Sequence, residues 1–255
     1  MDAERVTSIS PTKTVLSCES GRMVIIEQDE RERVDNARMV EIAQGGKEEG
    51  YVLFSETTDG TPLEPGTPGL FLSILLRPAM HVQRAGLLSA ATAVAVSRAI
   101  EKVADLRVGI RWVNDLFVGN RKISAMMTSA RIKPNGYFDY AVIGITVTLS
   151  PDDFQPKIGD VIRRVFNGEL RPLSVRLTEA IVREFFALYD RLSTDSALLP
   201  EYRSRSTVIG KRAKVLVGDT FLRARVLDID EDGGLTVALR GGAKMKVSSR
   251  SEIVF

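Results

Sequence analysis

The stretch Leu70-Phe71-Leu72-Ser73-Ile74-Leu75-Leu76 limits this chain more than any other. It is strongly apolar and reads as a buried strand, closed by Arg77-Pro78. Residues 86–103, rich in Ala and Leu, read as a buried helix. A strand and a helix with so little polar surface need each other, so the chain is expected to build a sheet backed by helices.

The flanking segments fit that frame. Met23 to Glu27 and Tyr51 to Phe54 read as strands. Between them, Val34, Ala37, Val40 and Ala43 recur at helical spacing, and Gly45-Gly46 ends that helix. Arg107 to Trp112 reads as a strand. Leu116 to Val118 and Lys122 to Thr128 flank Gly119-Asn120, a tight hairpin turn. Tyr140 to Leu149 is a further strand. Residues 158–168 and 176–193 have helical spacing, with Leu177, Ile181, Phe185 and Leu188 on one face of the second. The basic stretch from Tyr202 to Lys214 reads as a linker. Beyond it, short strands separated by Gly218-Asp219, Asp232-Gly233-Gly234 and Gly241-Gly242 suggest a small barrel. Three units are expected: a loose segment over 1–22, a large α/β (α+β) domain with a mixed central sheet over 23–205, and an SH3-like β-barrel over 206–255.

Composition excludes several chemistries. The single Cys18 forms no internal disulfide, which fits a reducing, cytoplasmic setting. With His81 as the only histidine, neither a His/Cys metal site nor a Ser-His or Cys-His nucleophile is expected. The 35 basic and 33 acidic residues nearly balance, so no nucleic-acid or membrane partner is expected from the overall field. Residues 1–22 hold no apolar leader and leave no room for a helix-turn-helix unit. Residues 55–69, Ser-Glu-Thr-Thr-Asp-Gly-Thr-Pro-Leu-Glu-Pro-Gly-Thr-Pro-Gly, form a long loop of the kind that binds a ligand.

Four segments, met in order, point to a family. They are Leu72 to Pro78, Arg111-Trp112-Val113-Asn114-Asp115-Leu116, Arg121-Lys122-Ile123-Ser124-Ala125-Met126-Met127, and Val142-Ile143-Gly144-Ile145-Thr146-Val147. Together with a C-terminal barrel they resemble the biotin–protein ligases. That resemblance implies an enzyme joining biotin to AMP from ATP, with Mg2+, then passing the biotinyl group to a lysine of a biotin carboxyl carrier protein or similar acceptor. It implies Lys122 as the central lysine between the acid and the α-phosphate, with Arg111 replacing a family lysine near the phosphates. Asp115 is implied as the metal carboxylate, and Asn114 and Trp112 as nucleotide contacts. Asn36, Thr57, Gly60, Ala125, Gly144 and Thr146 are implied around the acid. The family also implies a homodimer formed through the central sheet.

The pattern departs from the family at the ligand. Where a Gly-Arg-Gly-Arg loop is expected, this chain has Gly60-Thr61-Pro62-Leu63-Glu64. Charge-assisted hydrogen bonds contribute about 1.5–3 kcal/mol each, so losing two arginines and gaining an acid weakens adenylate binding by several kcal/mol. Thr57 stands for a family glutamine, Val113 for a proline, Ala125 for a glycine and Thr146 for an asparagine, and of the family's Ser-Thr-Asn turn only Asn36 remains. Two other readings follow: a degenerate binding module for biotin or another small acid, and a ligase for another acid such as lipoate.

Overall fold

The computed structural model describes residues 6–10, 13–29, 34–57, 61, 63, 66–104, 106–149, 170–192, 194, 196–248 and 251–255. The first nine strands are β1 (Val6–Ser10), β2 (Lys13–Ser17), β3 (Met23–Gln28), β4 (Tyr51–Thr57), β5 (Gly69–Leu76), β6 (Gly109–Arg111), β7 (Asp115–Val118), β8 (Arg121–Ile132) and β9 (Phe138–Thr148). They form one sheet in the order β1-β2-β3-β4-β5-β9-β8-β7-β6. Every neighbouring pair is antiparallel except β3 and β4, which are joined by the crossover helix α1 (Asn36–Gln44). The sheet is therefore mixed, as expected.

One face of the sheet is thickly covered. Helices α2 (Ala85–Ala104) and α3 (Leu170–Tyr189) pack on it, burying Leu72, Ile74, Ile143, Ile145, Val94, Ile181 and Phe185 in one continuous core. Among the described residues, the only helix on the other face is α1. There Val34, Met39 and Ala43 pack against Leu53, Phe71, Leu75 and Val142. A nine-residue helix cannot cover nine strands, so among the described residues no helix lies over the second face along β8 and β9 beyond α1.

Several sequence expectations need correction. Residues 13–17 are not loose: β2 pairs with β3 and buries Leu16, while Cys18 is buried just beyond it. This strand, next to the sheet edge, is short and partly polar, and its sheet partners rather than its own pattern hold it. The inward face of α1 is Asn36, Met39 and Ala43; Ala37 is exposed and Val34 precedes the helix. The basic "linker" begins as helix α4 (Leu198–Arg205), whose Leu198 and Tyr202 are buried. Its positive residues meet acids far away in sequence: Arg205 donates to both Glu101 oxygens at 2.8 and 2.9 Å, and Arg98 and Arg205 both bond Glu201. The expected helix at 158–168 lies outside the described residues.

The C-terminal strands β10 (Arg212–Val217), β11 (Thr220–Ile229), β12 (Leu235–Leu239), β13 (Lys244–Val247) and β14 (Ile253–Val254) form a five-stranded antiparallel sheet, ordered β13-β12-β11-β10-β14. A small, all-antiparallel C-terminal sheet is thus present where the sequence led one to expect a small barrel. Its inner residues Val215, Val226, Ile229, Leu235 and Val237 join the same core as α2 and α3. The turn after β11 is pressed onto α2 so closely that a Cβ on Gly86 would lie 2.0 Å from the Asp232 carbonyl oxygen.

The Glu201 carboxyl is held below the ordinary value, first by its hydrogen bond from Arg98 and then by Arg205. A lowered folded-state value contributes stability above the unfolded carboxylate range and loses it as pH falls. Glu201→Gln should lower the midpoint of urea unfolding at pH 7 and lessen the loss of stability from about pH 5 to 3, the window in which such carboxylates titrate. Parallel pH profiles for variant and wild type would contradict this.

Candidate active site

The site is set by an irregularity in β8. The pairing of β7 with β8 matches Leu116 with Ser124 but Phe117 with Lys122, so Ile123 is an extra residue, a β-bulge. Alternation along β8 otherwise sends Ser124 and Met126 toward the helices and Ala125, Met127 and Ser129 to the open face. Because of the bulge, both Ile123 and Ser124 are buried, and Ile123 sits in the core under α2 and α3. Lys122 is thereby placed on the open face, next along it to Ala125. Without the extra residue it would share the inward face of Ser124.

Across the hairpin the same face carries Phe117, Asp115 and Arg111, since Gly109 pairs with Phe117 and Arg111 with Asp115. Lys122 Nζ lies 2.7 Å from Asp115 Oδ2, and both side chains are about one third exposed. The Arg111 guanidinium stacks on the Phe117 ring, 3.8 Å from its centroid, a cation–π contact that holds the charge flat over the sheet. Two cations, one carboxylate and an aromatic floor thus form a polar platform. The Gly119-Asn120 turn that links the two strands is the two-residue connection expected.

Beside the platform is a cavity of about 250 Å3, lined by residues that include Asn36, Ser73, Ala125, Gly144 and Thr146. Four expected acid-binding residues therefore share one pocket. Its walls are otherwise largely apolar, with Val34, Leu63, Phe71 and Met127 among them, the usual balance in small-molecule sites. Asn36 is not a free ligand group. Its Nδ2 donates to the Met127 carbonyl at 3.1 Å and to Ser129 Oγ at 3.2 Å, and its Oδ1 accepts from Ser73 Oγ at 3.2 Å. It ties α1 to β8 and β5 and so closes one end of the cavity. Asp35 caps the helix by accepting from Arg38 N–H at 2.9 Å. Arg77 fastens the other end, donating to the Ala43 carbonyl at 2.9 Å and the Lys47 carbonyl at 2.8 Å.

Not every expected residue joins this group. Thr57 ends β4 on the same face, opposite Gly69, but outside the cavity wall. Gly60 lies outside the described residues. Trp112, expected among the nucleotide contacts, is buried on the helix side, where its indole N–H donates to the Gly233 carbonyl at 2.8 Å. Its size and single donor suit it to lock the large sheet onto the small one. Asn114 donates to the Met126 carbonyl at 2.7 Å, which orders the segment leading into Asp115. His81 accepts from Gln83 N–H at 3.3 Å and packs edge-on against Tyr137, a structural role. Sequence reading missed Ser73 and Phe117. Ser73 had a signal, as the one hydroxyl in the apolar strand β5.

No group of three or more His, Cys, Asp or Glu side chains that could hold a metal occurs among the described residues. Asp115, the expected metal carboxylate, is engaged by Lys122. This donor set does not hold a divalent ion by itself; it could supply one ligand to an ion that arrives on nucleotide phosphates.

No family model matches the chain. Among curated proteins, the bifunctional ligase/repressor BirA of Bacillus subtilis is 24% identical over 194 residues, covering 72% of this chain and 58% of that protein. The chain is thus distantly similar in sequence to a biotin ligase/repressor. It spans little more than half the length of the curated relatives it matches. Two solved structures share its fold. A biotin protein ligase from Aquifex aeolicus in complex with biotin and ATP has a TM-score of 0.64 at 16% identity, covering 90% of this chain and 98% of that one. A biotin protein ligase-like protein of unknown function from Silicibacter has a TM-score of 0.67 at 17% identity, covering 88% and 94%.

Gly144 is the close-packed point of this family-like pocket: a Cβ there would lie 2.3 Å from Asn36 Oδ1. Gly144→Ala should displace the Asn36 amide and destabilise the fold by about 1–3 kcal/mol, the usual cost of overpacking. Urea denaturation would check it, and an unchanged midpoint would show that Asn36 does not close the cavity.

Proposed function

We propose that this chain is an acid-activating, biotin–protein ligase-like protein, with biotin as its acid and ATP as its nucleotide. The observation that carries the reading is the bulge-displayed Lys122, whose ion-paired platform shares one sheet face with an acid-sized cavity. In such a reaction a carboxylate oxygen attacks the α-phosphorus, pyrophosphate leaves, and the acyl-adenylate is then attacked by a lysine amine with release of AMP. Two anions must be held together, and cations must meet the charge that develops.

In this reading Asn36, Gly144, Thr146 and Ala125 shape the acid pocket, with Thr57 and Gly60 at its mouth. Lys122 leaves Asp115 to meet the acid carboxylate and the α-phosphate. An exposed ion pair contributes only about 0–1 kcal/mol, so exchanging it for a ligand contact is cheap. Arg111 serves the phosphates; Trp112 and Asn114 act by holding the segment that leads to Asp115. Asp115 would supply one ligand to a Mg2+ ion arriving on the nucleotide phosphates. Residues 23–205 form the activating domain and 206–255 the barrel. The acceptor is a biotin carboxyl carrier protein or a similar domain.

A second reading, a binding module without adenylation, is favoured by residues 55–69, which contain no lysine or arginine. ATP–pyrophosphate exchange by the purified protein, with and without biotin, separates the two. The expected result is biotin-dependent exchange that Lys122→Ala lowers by about a hundredfold, the usual loss on removing one charge-stabilising donor. No exchange by the folded protein, beside an active control ligase, would overturn adenylation of biotin and leave the binding module or another acid such as lipoate.

A further inference from the structure

The charges of the small sheet are segregated. Residues 206–255 hold nine basic and six acidic side chains, and Asp228, Asp230, Glu231 and Asp232 are gathered near the turn that meets α2. Lys246 reaches into that cluster, its Nζ 3.3 Å from Asp230 Oδ2, and Asp219 and Glu252 flank the far end of β10, while six of the other basic residues share the outer face. Alternation puts Ala213, Val215, Ala224, Val226, Val237 and Val247 inside, so the intervening residues face solvent.

On that outer face the register sets like charges against each other. Arg212 is opposite Arg225 and Lys214 is opposite Arg223. Arg240 donates its backbone N–H to the Arg223 carbonyl, which puts it on the far side of Arg223. Ala238 lies between Arg225 and Lys244. Among the described residues no carboxylate bridges Arg212, Lys214, Arg223, Arg225, Arg240 or Lys244. Like charges directly opposite each other destabilise a sheet. A chain with a net charge of only +2 has acids enough to pair them, yet leaves them facing one another.

Phe221 continues the row. It lies on the same face of β11 as Arg223 and Arg225, opposite Leu216, and is 43% exposed. An exposed aromatic at the end of an arginine-rich row offers a stacking surface beside phosphate-binding cations. Four of the six cations are arginines, whose planar fork suits phosphate oxygens.

We propose that the outer face of β10–β13 binds single-stranded nucleic acid, with the cross-strand cations on its phosphates and Phe221 under a base. The proposal is independent of the activity assigned to the open face of the large sheet. Strand spacing of about 4.8 Å across the sheet and about 6.8 Å between alternate residues lets neighbouring cations serve successive backbone phosphates. An acidic protein surface would satisfy the charges but would have no need of an exposed ring aligned with them.

The test is fluorescence anisotropy of a labelled 15-mer of thymidine with the full chain, over a salt series. Binding is expected at 50 mM salt, weakening with a log–log slope of about −0.7 per phosphate engaged, so about −3 for four contacts. Phe221→Ala should weaken binding about tenfold, within the range of one lost base stack. Arg223→Glu with Arg225→Glu should abolish it. That double variant keeps the fold testable, because each new carboxylate faces a cation and should raise the melting temperature. Absence of binding at 50 mM salt would overturn the proposal. So would competition by polyglutamate or phosphatidylserine vesicles as strong as by unlabelled oligonucleotide, with Phe221→Ala binding like wild type; that outcome would assign the face to an acidic protein or a lipid surface.

Discussion

One extra residue in β8 decides the chemistry of the large sheet. A regular strand from Arg121 to Ile132 would turn Lys122 inward with Ser124 and Met126, under α2, where an ammonium has no partner and burial costs several kcal/mol. The bulge at Ile123 keeps two consecutive side chains in the core and returns Lys122 to the open face. Everything else in the site depends on that. Asp115 can reach the ammonium, Arg111 can lie over Phe117, and a cation shares the sheet face that holds the cavity by Ala125. A bulge next to a ligand cavity re-aims a side chain without disturbing the neighbouring β8–β9 ladder, which stays regular from Ser124 to Arg131.

The cavity itself follows from unequal covering of the two faces. Two long helices fill one side, and one short helix sits on the other. So short a helix is marginal alone and needs fastening. Asn36 fixes its first turn to β5 and β8, Asp35 caps it, and Arg77 holds its last carbonyls. The Arg of the Leu-Leu-Arg-Pro segment is thus a cap for α1 rather than a ligand group, and it shapes the pocket from a distance. The small sheet is tied to the same framework. Trp112 bonds Gly233, Tyr202 bonds the Val113 carbonyl, and Arg203 donates to the Ile229 carbonyl at 2.7 Å, so the segment entering Asp115 is braced by residues from both sheets.

Much of this was legible in the residues, for a physical reason. Strand β5, helix α2 and the hairpin around Gly119-Asn120 announce themselves because long apolar runs and tight turns are local signals. The shared pocket of Asn36, Ala125, Gly144 and Thr146 was legible through family resemblance, because these residues stand in recognisable motifs. What stayed hidden depends on distant partners. The bulge leaves no mark, since Ile123-Ser124-Ala125 reads as ordinary strand whichever way it faces. Helix α4 looks like a linker until Glu101 and Arg98 meet Arg205 and Glu201. Trp112, a nucleotide contact by family resemblance and a core anchor by its size, shows its role only when its indole N–H is seen to bond a turn more than a hundred residues away.

The central claim is that the cavity and the Lys122 platform are two halves of one ligand site. The most direct measurement is calorimetric titration with biotin and with a non-hydrolysable biotinyl-adenylate analogue, on the wild type, Gly144→Ala and Lys122→Ala. The account predicts one site that holds the analogue more tightly than biotin, with Gly144→Ala weakening both ligands and Lys122→Ala weakening chiefly the analogue. An analogue that binds no better than biotin, or whose affinity is indifferent to Lys122, would mean that the two halves do not act as one.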